Sequence, residues 1–364
     1  MFNATELYEK IWAIDKADDR KGTWWWWFWL FFIDNPEKPQ EPHQLMILWS
    51  TKNEKSIKCN GSTFTFPNKI LIDEKKTSFD GVVAAWYFDG KMHDSYLLEQ
   101  SKISLTKKPY SLVSDSENKS KFFEKNGKLF VEINRGEKTF NFELAIDSSK
   151  DFLNPTHAGG TYPGGLSFSA LGIPKADFSG SIIEHEELRE IKGTAYFQYV
   201  IVNAPSPSWY WGIFHFPKGG FLSYFNPHIG PALLKGNLTN KFIRQGNISI
   251  GNDLYFANPK TGTKESFKLK KITSKKNSKG FPIFFVFGEN KFKKISFEVD
   301  CYSDAFWEFE KKAFGLLNTK LRYNEYPSKI KNFKVTDKKE KIIVSTKELG
   351  EAVGNAEHSW GILI

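Results

Sequence analysis

The chain has 364 residues, of which 40% are hydrophobic, 16% aromatic and 26% charged, and its formal charge is +9. This length fits two domains better than one, and so many charges alongside so many aromatic rings exclude both a disordered chain and one embedded in a membrane. The two cysteines, Cys59 and Cys301, lie far apart without metal-type spacing, so neither a disulfide framework nor a cysteine-held metal is expected and a reducing, cytoplasmic setting fits.

The opening stretch, MFNATELYEKIWAIDKADDRKG, carries acids early and has no long apolar core. It does not read as a secretory signal, and a short helix is expected within it. The Asn-x-Ser/Thr matches at Asn3, Asn60, Asn118, Asn237 and Asn247 are then read as accidental.

Next comes TWWWWFWLFFID, with ten consecutive large apolar residues from Trp24 to Ile33. A membrane helix needs about 20. As a helix the run would be only about 15 Å long, whereas as a strand it spans about 33 Å and is rich in the aromatic residues that strands favour. Alternation places Trp24, Trp26, Phe28, Leu30 and Phe32 on one face and Trp25, Trp27, Trp29, Phe31 and Ile33 on the other. Both faces must be covered, by core, by a ligand or by a membrane surface. Which one points inward is not fixed by alternation, because one bulge swaps the assignment.

DNPEKPQEP (34–42) reads as a turn and HQLMILWSTK (43–52) as the returning strand of a long hairpin. STFTFP, GVVAAWYFDG, KMHDSYLLEQ, KLFVEINR and KTFNFELAID follow as further strands between Gly-, Asn- and Lys-rich turns. A Gly- and Pro-rich passage covers 156–174. Strands resume with FSGSIIEHEEL, GTAYFQYVIV, SWYWGIFHFP and GGFLSYFNP, and later with NDLYFANP, ESFKLKKITS, PIFFVFGE, KKISFEVDC and KIIVSTK. Only SDAFWEFEKKAFGLL (303–317) reads as a second helix. So many strands at near-regular spacing imply an all-β chain of two antiparallel barrels able to enclose an apolar cavity, divided into 1–175 and 176–364.

The lysine runs at 270–280 and 334–342 read as hairpin turns and solvated edges. A basic face of this kind could also rest on anionic lipid. Nucleic acid is not expected as a partner, because these lysines do not interleave with aromatics in a binding motif.

There is no P-loop, dinucleotide fingerprint, G-x-S-x-G elbow or HExxH motif. In EHEEL (184–188), read as strand, the histidine and its acids point to opposite faces, and no second histidine stands at ligand spacing. His43, His93, His157, His215, His228 and His358 are dispersed. Neither a metal nor a cofactor is expected.

Four segments in order resemble the carotenoid 1,2-hydratase (hydroxyneurosporene synthase) family. TWWWWFWLFF with HQLMILWST is similar to its first hairpin, and NPTHAGGTYPGGLSFSALGIPKADFSGSI to its inter-domain passage. KGTAYFQYV with SWYWGIFHFPKGGFLSYF resembles its second-barrel hairpin, and GNAEHSWGILI its closing strand. The resemblance spans 20–364 and implies two lipocalin-like barrels, a fold shared by hydratases, terpenoid cyclases, Diels-Alderases and non-catalytic carriers. Three positions depart from it: Gln198 and Tyr199 stand where the family has Asp–His, and Thr23 where it has Glu.

The resemblance implies a hydrophobic isoprenoid or lipid ligand and acid-initiated hydration, cyclisation or isomerisation of a double bond. Glu357 or His157 would donate the proton, and Gln198 and Tyr199 would orient water or a polar head. Trp25, Trp27, Trp209 and Trp211 would form the walls. Burial raises a carboxyl pKa and keeps the acid protonated near neutrality, and indole faces shield a cation. The same cavity suits a non-catalytic carrier of the lipocalin type, and barrels packed solid by Phe and Trp would leave only a structural role.

Overall fold

The computed structural model describes residues 9–73, 75–116, 119–147, 150, 156–161, 165–229, 248–313 and 317–362. Its strands form two antiparallel sheets, each closed into a barrel. The first closes where Lys138–Ala145 pairs with Ser167–Glu184, and the second where Lys293–Cys301 pairs with Leu317–Asp337. The lipocalin-like two-barrel architecture is therefore as expected.

The tryptophan strand, Trp24–Ile33, is central in the first barrel. His43–Lys52 pairs along one edge and Glu187–Asn203 along the other, so its backbone groups are satisfied on both sides. Its odd-numbered residues point inward: Trp25, Trp27, Trp29 and Phe31 have no exposed surface and Ile33 only 3%. They pack with Trp49, Phe122, Phe142, Phe178 and Phe197 into one continuous core. Phe31 stacks on Phe142 at 4.0 Å, and Trp29 meets Phe197 at 4.7 Å.

The N-terminal segment plugs this barrel. Residues 9–11 form a helical turn, and Ile11, Trp12 and Ile14 join the core. The indole of Trp27 donates to the Ile11 carbonyl at 2.6 Å and the hydroxyl of Tyr199 to the Ala13 carbonyl at 2.9 Å. The first barrel is thus filled by aromatic side chains.

The even-numbered face of the strand lies in the seam between the barrels. Trp24, Phe28, Leu30 and Phe32 pack there with Ile213, Phe221, Trp307 and Tyr323 of the second barrel. His215 and Gln44 fasten the seam. His215 bonds Thr194 Oγ1 at 2.8 Å and the Pro174 carbonyl at 2.9 Å, while Gln44 donates to Tyr302 Oη at 2.8 Å and to the Gly354 carbonyl at 3.0 Å.

The expected division at 175/176 falls inside Ser167–Glu184, whose pairing lies in the first sheet. The chain passes from the first sheet to the second between Asn203 and Ser208. A hairpin of the N-terminal half also crosses over: Ser56–Cys59 and Ser62–Thr65 extend the second sheet through Cys59 and Phe309.

Three local expectations need correction. The helix expected over 303–317 is not found where it is described, because Ala305–Ala313 is a strand that buries Ala305, Trp307 and Phe309 at period two and pairs on both sides, while 314–316 lie outside the described residues. EHEEL is not continuous strand either: His185 and Glu186, at φ +50° and +70°, make the two-residue turn of a hairpin. Finally, Leu317–Asp337 is a strand of 21 residues that the sequence reading leaves out. Its Lys and Asn residues and Pro327 weaken every local strand signal, and its neighbours' ladders impose the conformation instead.

Candidate functional site

Four adjacent strands of the second barrel face the seam: Ser208–His215, Val353–Ile362, Leu317–Asp337 and Ala305–Ala313. Register aligns Trp211 with Glu357, Glu357 with Glu325, and Glu325 with Ala305. Residues directly opposite in a ladder share one face. Two glutamates therefore stand side by side on the surface that meets the first barrel.

Glu325 has no exposed surface. Its two oxygens accept indole N–H groups from opposite sides of the seam, Oε2 from Trp86 at 2.9 Å and Oε1 from Trp307 at 3.2 Å. Burial pushes its pKa well above the usual carboxylate range, and the Glu357 charge pushes the same way; the bonds from Trp86, Tyr323 and Trp307 oppose this. Half-buried Glu357 accepts from Trp209 Nε1 at 2.7 Å. Burial raises its pKa to about 7, with the Trp209 bond pulling down. Neither carboxyl is joined in an ion pair with a cation among the described residues. Such a pair titrates as a unit and keeps at least one proton near neutral pH.

Aromatic rings enclose the pair. Trp209 lies 5.6 Å from Tyr323, Tyr196 lies 5.4 Å from Trp211, and Phe28 meets Trp211 edge-on at 6.4 Å. Trp26, Tyr196, Trp209 and Trp211 are half-buried where the seam reaches the surface. Burial and the nearby Glu357 charge raise the Tyr196 pKa, and burial with the Glu325 charge raises that of Tyr323, so both hydroxyls stay neutral donors. Two positions from Glu357 on the same face sits Asn355, fully buried, with no partner for either amide atom among the described residues. A buried amide in that state is ready to bind water or a hydroxyl group.

The expected site residues divide. Glu357, Trp209, Trp211 and Gln198 come together in the seam, where Gln198 Oε1 accepts from the Tyr196 hydroxyl at 2.9 Å. Trp25, Trp27 and Tyr199 face the other way, into the filled core of the first barrel, and Tyr199 stacks on Trp27 at 4.8 Å. His157 stands exposed on the edge strand Thr156–Thr161, bonded to Ser169 Oγ at 3.1 Å; burial and Lys10 lower its pKa. Glu325, Asn355, Trp86, Trp307, Tyr196 and Tyr323 were absent from the sequence expectation. The one available signal for Glu325 was a lone acid in RYNEYP, between two tyrosines.

Two surface clefts lie elsewhere. One of about 320 Å³ is lined by Lys175, Asp177, Lys218 and Gly219, and another of about 520 Å³ by Lys275, Lys279, Asp300 and Lys331. No group of three metal-binding side chains occurs among the described residues, and none of their helices is long and apolar enough to cross a membrane.

No protein-family model matches the chain, and no curated protein matches it in sequence. Among solved structures, a Nitrosomonas europaea protein provisionally named AttH superposes with a TM-score of 0.51 at 12% identity, covering 95% of this chain and 96% of that one. Kievitone hydratase from Nectria haematococca gives 0.43 at 13% identity, covering 96% and 94%. The first similarity shows a shared fold; the second is too low to carry an argument.

Proposed function

We propose that the seam between the barrels carries out acid-initiated chemistry on a double bond of an apolar, isoprenoid-like ligand. The observation that carries this reading is the Glu325–Glu357 pair, two uncompensated carboxyls side by side among indole rings with their pKa values raised. Glu357, nearer the surface, gives its proton to an alkene carbon, leaving a tertiary cation on the neighbouring carbon. The faces of Trp209 and Trp211 shield that cation, an attraction of about 2 kcal/mol when desolvated. In hydration, water held at Asn355 attacks the cation and its extra proton returns to the Glu357 carboxylate, so alkene plus water gives alcohol. In isomerisation or cyclisation, the carboxylate instead removes a proton from carbon. Glu325 stays protonated throughout and keeps a second negative charge out of the seam.

The sequence resemblance to the carotenoid 1,2-hydratase family supports the same chemistry. Of the missing Asp–His pair, Tyr199 at the His position faces the first barrel's core, while Gln198 at the Asp position faces the seam and supplies an amide bonded to Tyr196 where the family has an acid, so the proton source here is the glutamate pair. The filled core of that barrel speaks against a carrier of the lipocalin type holding its ligand there.

The test is incubation with acyclic isoprenoids such as farnesol and lycopene in deuterated water, followed by mass spectrometry. Deuterium gained at carbon by wild type and lost in E357Q is the expected result. Compounds that co-purify but never change would favour carriage, and neither binding nor exchange would leave the pair a structural role.

A further inference from the structure

On the outer face of the second barrel, Thr263–Lys276 and Pro282–Glu289 form a pair whose solvent side has unusual chemistry. The inward residues Phe267, Leu269, Phe284 and Val286 belong to the core. Pointing the other way, Ile283, Phe285 and Phe287 make an apolar row, each half-buried. The row continues toward the next hairpin tip, where Phe292 is 67% exposed. A row of this length on an outer sheet face is a surface awaiting an apolar contact.

Beside the row stands a line of lysines. Lys271 is opposite Phe287 and Lys275 opposite Ile283, and Lys275 also sits 5.1 Å over the ring of Phe285. Together with Lys268, Lys276 and Lys279 these are exposed and enter no ion pair among the described residues. Their neighbours behave differently: Lys270 pairs with Glu289, Lys293 with Glu265 and Lys331 with Asp300. Unpaired lysine charge therefore lines one side of the apolar row, while on its other side Asp300, paired with Lys331, and Glu298, bonded by Asn332, stand opposite Ile283 and Phe285. The cleft of about 520 Å³ at the far end of the row is lined by Lys275, Lys276 and Lys279, together with Lys329 and Lys331, which pair there with Glu41 and Asp300.

We propose that this face docks on an anionic phospholipid membrane. Phe285, Phe287 and Phe292 enter the headgroup boundary, the lysines lie against lipid phosphates, and the cleft receives one headgroup. Aromatic rings flanked by long cationic side chains match that boundary, where the rings reach the acyl edge and the ammonium groups stay in the headgroup layer. Bare nucleic acid fits less well, since Lys275 and Lys291 already lie over the rings of Phe285 and Phe292 on which a base would stack. The proposal is independent of the chemistry assigned to the seam.

The test is co-sedimentation with phosphatidylcholine vesicles, with and without phosphatidylserine, at low and high salt. The expected result is sedimentation only with phosphatidylserine, reversed by salt. The triple variant K271Q/K275Q/K276Q should partition about 100-fold less, at about five-fold per lysine. F287S and F292S should weaken binding several-fold without altering the circular dichroism spectrum. Equal sedimentation with both vesicles, or an unchanged triple variant, would overturn the proposal. So would release by inorganic phosphate where chloride at the same ionic strength does not act, which would make the lysines a free-anion site. Tighter retention on single-stranded DNA than on phosphatidylserine vesicles would overturn it as well.

Discussion

Replacing Glu357 by glutamine should change how stability depends on pH. In the folded protein burial raises this carboxyl from 4.5 to about 7. Between those values the folded chain keeps a proton that the unfolded chain has released. The sign follows from the raised folded value: the contribution is complete below about pH 4.5 and is lost as pH rises through about 7. One proton corresponds to a slope of at most about 1.4 kcal/mol per pH unit, and over this window that sums to about 3 kcal/mol. Solvent reaching the half-buried carboxyl reduces it, so about 1–3 kcal/mol is expected. The assay is urea unfolding of wild type and E357Q at several pH values from about 4.5 to 7.5, read as the difference between the two proteins so that other titrating groups cancel. Wild type should lose stability relative to E357Q as pH rises. A difference that does not vary with pH would refute the raised pKa, and with it the proton source on which the catalytic reading depends.

Three further outcomes are expected. His215, held neutral with its pKa pushed down to about 3 by burial and by Lys175, works in the opposite sense: stability is lost as pH falls below about 6.5, and H215Q, followed by the same unfolding series, should remove part of that acid sensitivity. W27F should destabilise more than W29F by about 1 kcal/mol in thermal unfolding, because the Trp27 indole loses its bond to Ile11 whereas Trp29 Nε1 has no partner among the described residues. G193A should cost about 1–3 kcal/mol, since a Cβ there would lie 2.0 Å from the Phe32 carbonyl and pry apart two strands of the first barrel; an unchanged melting temperature would contradict the strand register.

Much of the fold was legible locally. Alternation over Trp24–Ile33 matched the pleat because its odd-numbered face is wholly buried, and His43–Lys52 and Pro282–Glu289 were legible as strands because each buries most of at least one face. Where a strand was poor in such residues, as in Leu317–Asp337, the reading failed. It also failed at AFWEFEKKA, where Glu and Lys suit a helix but Trp307 and Phe309 fall at period two. The candidate site is half legible in the sequence: Glu357, Trp209, Trp211 and Gln198 lie in the seam, while Trp25, Trp27 and Tyr199 belong to the core behind the tryptophan strand.

By itself the sequence determined that the chain is built of strands, that the tryptophan run is too short to cross a bilayer as a helix, and that both faces of that run must be covered. Period-two patterning and length are local properties, and they leave a signature in the order of residues. Tertiary structure alone decided that Trp25, Trp27 and Trp29 fill the first barrel while Trp24 and Phe28 meet the second, and that Glu325 lies against Glu357. Closing a barrel selects one register from many, and that register brings together residues the sequence holds apart. Their raised pKa values then arise from the burial that this register imposes and, for Glu325, also from the neighbouring Glu357 charge.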